Sequence, residues 1–150
     1  MKKIYLFVAV ACATVFSSCS SDDDSNDSAN SNAPVVVTID GQKKYFEEVD
    51  VEVNGSRIYV TALTKDHADV LSFEAQVPYT GEESIYDLEY KKGNNTYYES
   101  YENNDEGIID NVEICTEHKL KGTFHGNVVS YQGETLDFIT MTNGSFDLVY

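Results

Sequence analysis

From Pro34 to Tyr150 the apolar positions recur at every second residue, the spacing of half-buried strands, and no stretch carries an apolar stripe at helical spacing. Val35 to Ile39 leads into Asp40-Gly41, a tight-hairpin signal, and Lys43 to Phe46 follows. Val49, Val51 and Val53 then alternate with Glu48, Asp50 and Glu52 up to Asn54-Gly55. A two-residue loop there predicts Val53 opposite Ser56, Glu52 opposite Arg57, Val51 opposite Ile58 and Val49 opposite Val60. The valines then share one face and the ion pair takes the other. Val70 to Val77 reads as a strand stopped by Pro78. Ser84 to Tyr90 and Thr96 to Tyr101 flank a turn over Lys91 to Asn95, and Ile108 to Cys115 is a strand closed by a turn at Thr116 to Lys119.

The last third repeats the theme. Leu120, Phe124 and Val128 share one face of a long strand, and Gly122 and Gly126 on that face signal a bulge or a close approach. Gln132-Gly133 turns the chain into Thr135 to Thr142. Asn143-Gly144 then predicts a final hairpin, with Met141 opposite Phe146 and Ile139 opposite Leu148. The expected fold is therefore all-β: an antiparallel meander of about ten short strands, folded as a sandwich or a barrel. Local hairpins favour an up-and-down order over Greek-key crossings.

The first 33 residues are of another kind. Lys2 and Lys3 precede an apolar run of thirteen residues, Ile4 to Phe16, followed by Ser17-Ser18-Cys19. That is a basic start, an apolar core and a small-residue cleavage site, which together read as a secretory signal over residues 1–18. The run is too short to span a bilayer, which takes about 20 residues. Ser20 to Ala33 contains only Ser, Asp, Asn and Ala and can bury almost no apolar area, so residues 19–33 are expected to be a disordered linker reaching roughly 20 Å. Residues 34–150 are long enough for one domain with one core.

With Cys19 directly after the small residues, the segment resembles a bacterial lipoprotein signal, although Phe16 stands where the commoner pattern has Leu. The resemblance implies that the Cys19 sulfur takes a lipid and becomes the new N-terminus. Cys12, the rival, would leave only eight apolar residues before it. Ser21, Asp22, Asp23 and Asp24 resemble the acidic export tag of Bacteroidota surface lipoproteins. Asp27-Ser28-Ala29 resembles the O-glycosylation motif of the same group, with Ser28 as acceptor. The Gly-Thr-Phe strand at Gly122 to Phe124 and the Asn-Gly-x-Phe stretch at Asn143 to Phe146 are similar to small lipoproteins of that group. The resemblance implies an outer-membrane, lipid-anchored, surface-exposed address and an all-β body; it brings no catalytic residue.

Charge narrows the partners. Removing residues 1–18 takes away Lys2 and Lys3 and no acid, so 26 acids face 8 bases in what remains. Such a surface disfavours nucleic acid, whose affinity comes from neutralising phosphates, and gives no second grip on anionic lipid. Cys115 is the sole cysteine beyond Cys19, so no internal disulfide can form, and it reads as a small packing residue at a strand end.

The motifs for chemistry are thin. There is no Gly-x-Ser-x-Gly elbow, Ser-x-x-Lys or phosphate loop, so neither enzyme nor cofactor is expected. Glu102 to Glu113 partly matches calcium-loop spacing, but Glu stands where a short Asp coordinates, and only Asp105, Glu106 and Asp110 remain as a weak metal set. Cys115, His118 and His125 straddle a turn and lack a fourth ligand for zinc. Tyrosine is the remaining signal: Tyr86, Tyr90, Tyr97, Tyr98 and Tyr101 crowd one predicted hairpin. Exposed tyrosine is rigid, amphipathic contact surface, so the expected role is a binding module for a protein or glycan partner, acting as a monomer. The runner-up is a barrel-type carrier of a small apolar ligand, which would need an internal cavity; a surface hydrolase stands third.

Overall fold

The structure, a computed structural model, describes residues 32–99, 107–132 and 135–150. The expected signal, Cys19 and nearly all of the linker lie outside them. Nine strands are described, and no helix: β1 (Val35–Ile39), β2 (Gln42–Asn54), β3 (Arg57–Thr64), β4 (Asp69–Gln76), β5 (Ile85–Lys92), β6 (Asn95–Glu99), β7 (Ile108–Cys115), β8 (Lys119–Gln132) and β9 (Thr135–Val149). All pairings are antiparallel. β1 to β6 follow one another, β9 returns to β1, and β6 pairs with β8. Eight strands thus close into an up-and-down barrel, so the first and last strands of the sheet are paired rather than left as the edges of a flat sheet.

β7 is the extra strand. The seam along β8 is shared: β6 holds Val128 and Val129, while β7 runs beside Leu120 to Gly126. Gly81, in the connection between β4 and β5, bridges to Val112 from the other side through two backbone bonds of 2.8 Å. The lower half of the wall is therefore completed by β7 and that connection.

Alternation fills the inside. Val35, Val37 and Ile39 of β1, Ile58, Val60 and Ala62 of β3, and Leu71, Phe73 and Ala75 of β4 all turn inward and are buried. Phe146 stands between Phe73 and Phe124, with ring centroids 5.2 and 6.4 Å away. Burying each such ring contributes about 1.5–3 kcal/mol.

The turns answer the sequence unevenly. Asp40 (φ 49°) and Gly41 (φ 80°) form the two-residue loop expected, with Ile39 opposite Gln42. The next hairpin exists, but its register differs. Asn54 pairs with Arg57, so the loop is Gly55-Ser56, and Val51 meets Val60 and Val53 meets Ile58. The valines keep their face; the expected Glu52–Arg57 pair does not form opposite, and Arg57 reaches across to Glu74 at 3.1 Å. A bulge at Glu47 makes β2 one continuous strand where two were expected.

The expected final hairpin is absent. β9 runs unbroken through Asn143-Gly144, and Met141 and Phe146 face Gly126 and Gly122 of β8 instead of each other. Asn143 takes φ 52°, the left-handed conformation that Asn tolerates, and serves as a bulge. The same dipeptide chemistry that makes a tight turn makes a bulge when both neighbouring strands continue past it. Gly122 and Gly126 are close approaches, as expected. A Cβ on Gly122 would meet the Asn111 carbonyl at 2.6 Å, and one on Gly126 (φ 142°) would collide with the carbonyl oxygen of Gly107.

Candidate functional site

Strand alternation divides the tyrosines of the β5–β6 hairpin. Tyr90 and Tyr97 sit directly opposite each other and both turn inward, with ring centroids 6.0 Å apart. At 0 and 3 % exposure they offer nothing to a partner, which corrects the expectation that the whole cluster forms a surface. Neighbours in a strand point to opposite faces, so Tyr98 must face out if Tyr97 faces in. Tyr98 and Tyr86 are indeed exposed, and Tyr101 lies outside the described residues.

The inward phenols anchor polar groups at one end of the barrel. The Tyr90 hydroxyl donates a 2.7 Å bond to Asp69 Oδ1, and Lys44 Nζ lies 2.8 Å from Oδ2. The Asp69 amide donates to Thr64 Oγ1, which donates in turn to Asp66. Tyr97 donates to Asp137 Oδ2 at 2.8 Å. Burial, and then the bond to Asp69, push the Tyr90 phenol up; the Asp137 bond does most of this for Tyr97. Each group has a partner, so this network reads as a plug that closes the barrel.

Outside, three strands assemble an aromatic wall. Tyr98 of β6 faces Val129 of β8, and Val129 faces Phe138 of β9. One step along, Tyr131 faces Leu136. Val128 belongs to the interior cluster, so Val129 points outward, yet it is only 2 % exposed between its two large neighbours. Tyr98, Tyr131 and Phe138 are 50, 57 and 45 % exposed, a contiguous apolar surface on a chain otherwise rich in carboxylates. Sequence reasoning placed neither Tyr131 nor Phe138 in the site. The signal was there: Phe138 lies between Asp137 and Ile139, and an inward Ile139 forces Phe138 out.

Tyr86 stands apart from that wall, in a groove of about 350 Å³ with Arg57, Glu74, Gln76 and Asp87. Of the weak calcium set only Asp110 lies among the described residues. Asp110 is 4 % exposed and accepts the amides of Ser84 (3.0 Å) and Ile85 (3.2 Å), a structural duty that pins the start of β5 to β7. Its carboxyl is raised by burial, against the opposing pull of those amides. Asp105 and Glu106 lie outside the described residues. Among the described residues no group of three metal-ligating side chains converges. Cys115 is buried, its thiol raised by desolvation and directed at the Gln76 carbonyl at 3.4 Å. No protein-family model matches the chain, and no curated protein matches it.

Proposed function

We propose that this chain is a lipid-anchored surface lipoprotein whose barrel is a non-catalytic binding module. In this reading Cys19 carries the lipid at the outer membrane, residues 20–33 are the tether with Ser21 to Asp24 as export tag and Ser28 as glycan acceptor, and the monomeric barrel is held off the membrane. The observation that carries the binding role is the outward row Tyr98–Val129–Phe138 on a barrel whose interior is filled with Phe46, Tyr90, Phe124, Met141 and Phe146. A closed barrel suits the carrier alternative in outline, but those side chains occupy the space a ligand would need, and the wall takes precedence. The partner is a protein or glycan that docks on aromatic faces.

Two measurements test this in cells that make the protein. Metabolic labelling with an alkyne fatty acid should tag the chain, and Cys19→Ala should abolish the tag. A photo-cross-linking side chain at position 138 should capture a partner that the same group at Thr61, exposed on the far wall, does not. Equal capture at both positions removes the binding reading, whatever the lipid result.

A further inference from the structure

β1 is five residues long, while its neighbours β2 and β9 have 13 and 15. It spaces them one strand apart but begins only at Val35, so among the described residues the wall beyond Phe46 on one side and Phe146 on the other has a strand-wide slot, at the end where the chain enters β1. A groove of about 330 Å³ lies there, between Val49 and Val51 of β2 and Asp147 to Tyr150, with Pro34 at its head. The backbone direction follows from the hairpin. A two-residue loop makes Asn54 and Arg57 the bonded pair, so Glu52 and Asp50 also bond toward β3. Val49, Val51 and Val53 then aim their N–H and C=O groups into the slot, where no described strand meets them. On the opposite bank the Asp147 amide donates to the Pro34 carbonyl, and the Tyr150 amide donates away from the slot to the carbonyl of His118, just before β8, so Val149, two residues after Asp147, also turns its amide to the slot.

The geometry points to strand addition: the slot takes an extended peptide of about five or six residues as a further strand between β2 and β9. The side chains around it define the occupant. Val49 and Val51 are half-buried against the core on one bank and Leu148 is buried on the other, so the inward, alternate residues of the incoming strand must be apolar. Glu48, Asp50 and Glu52 line the outer face of the β2 bank, so the residues between must be basic. A second copy of this chain would set that acidic row against its own. The segment Ser20 to Ala33 offers only Ser, Asp, Asn and Ala, with carboxylates where lysines are needed. The partner is therefore a basic, alternately apolar segment of another protein. This surface is separate from the aromatic wall.

The test uses the full chain and a synthetic peptide of alternating lysine and valine, about six residues long. Amide exchange should show Val49, Val51 and Val53 unprotected in the free protein and protected when the peptide is added. Methylating the peptide nitrogens that face β2 should weaken binding about tenfold or more while leaving its charge intact. Val51→Pro, which removes a slot-facing N–H from an edge where proline is tolerated, should weaken it similarly. Tyr98→Ser should leave it unchanged. Three results overturn the proposal: no binding, protection of the three valines before peptide is added, or equal affinity for the methylated peptide, which would mean charge attraction alone.

Discussion

Tyr90 and Asp69, on adjoining strands, are joined inside the barrel by a 2.7 Å hydrogen bond from phenol to carboxylate. Asp69 is only 4 % exposed and is paired with Lys44 at 2.8 Å. Tyr90→Phe keeps the ring in place but removes the donor. A buried carboxylate that loses a bond costs about 1–3 kcal/mol, so the urea midpoint should fall with no change in slope. An unchanged midpoint would mean that water replaces the phenol without penalty.

Asp110 makes a prediction with a definite sign. Its folded carboxyl is raised above the ordinary value, so the folded state holds that proton more tightly than the unfolded one. Its contribution to stability is therefore highest below the unfolded pKa of about 4 and declines as pH rises through the raised folded value. Asp110→Asn retains an oxygen for the Ser84 and Ile85 amides and removes the charge. Relative to the parent, the variant should be most favoured near neutral pH, and that advantage should shrink on acidification toward pH of about 4. Urea titrations across that range decide it; a pH-independent difference would absolve Asp110.

The bulge in β9 is open to a paired test. A Cβ at Gly144 would meet the Phe124 carbonyl at 2.6 Å and its ring at 2.7 Å, so Gly144→Ala should cost about 1–3 kcal/mol. Asn143→Ala should cost about 1–2 kcal/mol from the left-handed backbone alone, and Asn143→Gly much less. If Asn143→Ala is silent, the strand does not pass through position 143 as described.

The two faces of the barrel should respond oppositely. Phe146→Ala removes the ring packed between Phe73 and Phe124 and should cost about 3–5 kcal/mol by chemical denaturation. Phe138→Ser and Tyr98→Ser, on exposed outward positions, should stay within about 1 kcal/mol of the parent while losing partner capture. A Phe138→Ser variant that unfolds would make that side chain part of the core.

Much of the wall was legible along the chain because a period of two is a local signal. Asp40-Gly41 marked its hairpin, and Leu120, Phe124 and Val128 marked the inner face of β8. Asn54-Gly55 was displaced by one position, because Gly55-Ser56 turns as readily and the valines keep their face either way. Asn143-Gly144 was misread because turn and bulge share one backbone conformation. Closure of β6 on β8 and the shared seam with β7 join residues about 30 positions apart, such as Tyr98 and Val129, and leave no mark on either segment alone. The tyrosine cluster misled for a related reason: Tyr97-Tyr98 reads the same in either register, and only the placement of Tyr90 opposite Tyr97 decides which one is seen from outside.

The short first strand also has a mechanical meaning. β1 is bonded along its length to β2 on one side and β9 on the other, and the chain enters it at Pro34, at the end away from the Asp40-Gly41 turn. A pull on the residues before Pro34 along the barrel axis therefore strains both ladders in shear, all bonds at once, rather than peeling them one by one. The body would hold against tension from that direction and give way far more readily to a tug applied across the seam beside β7.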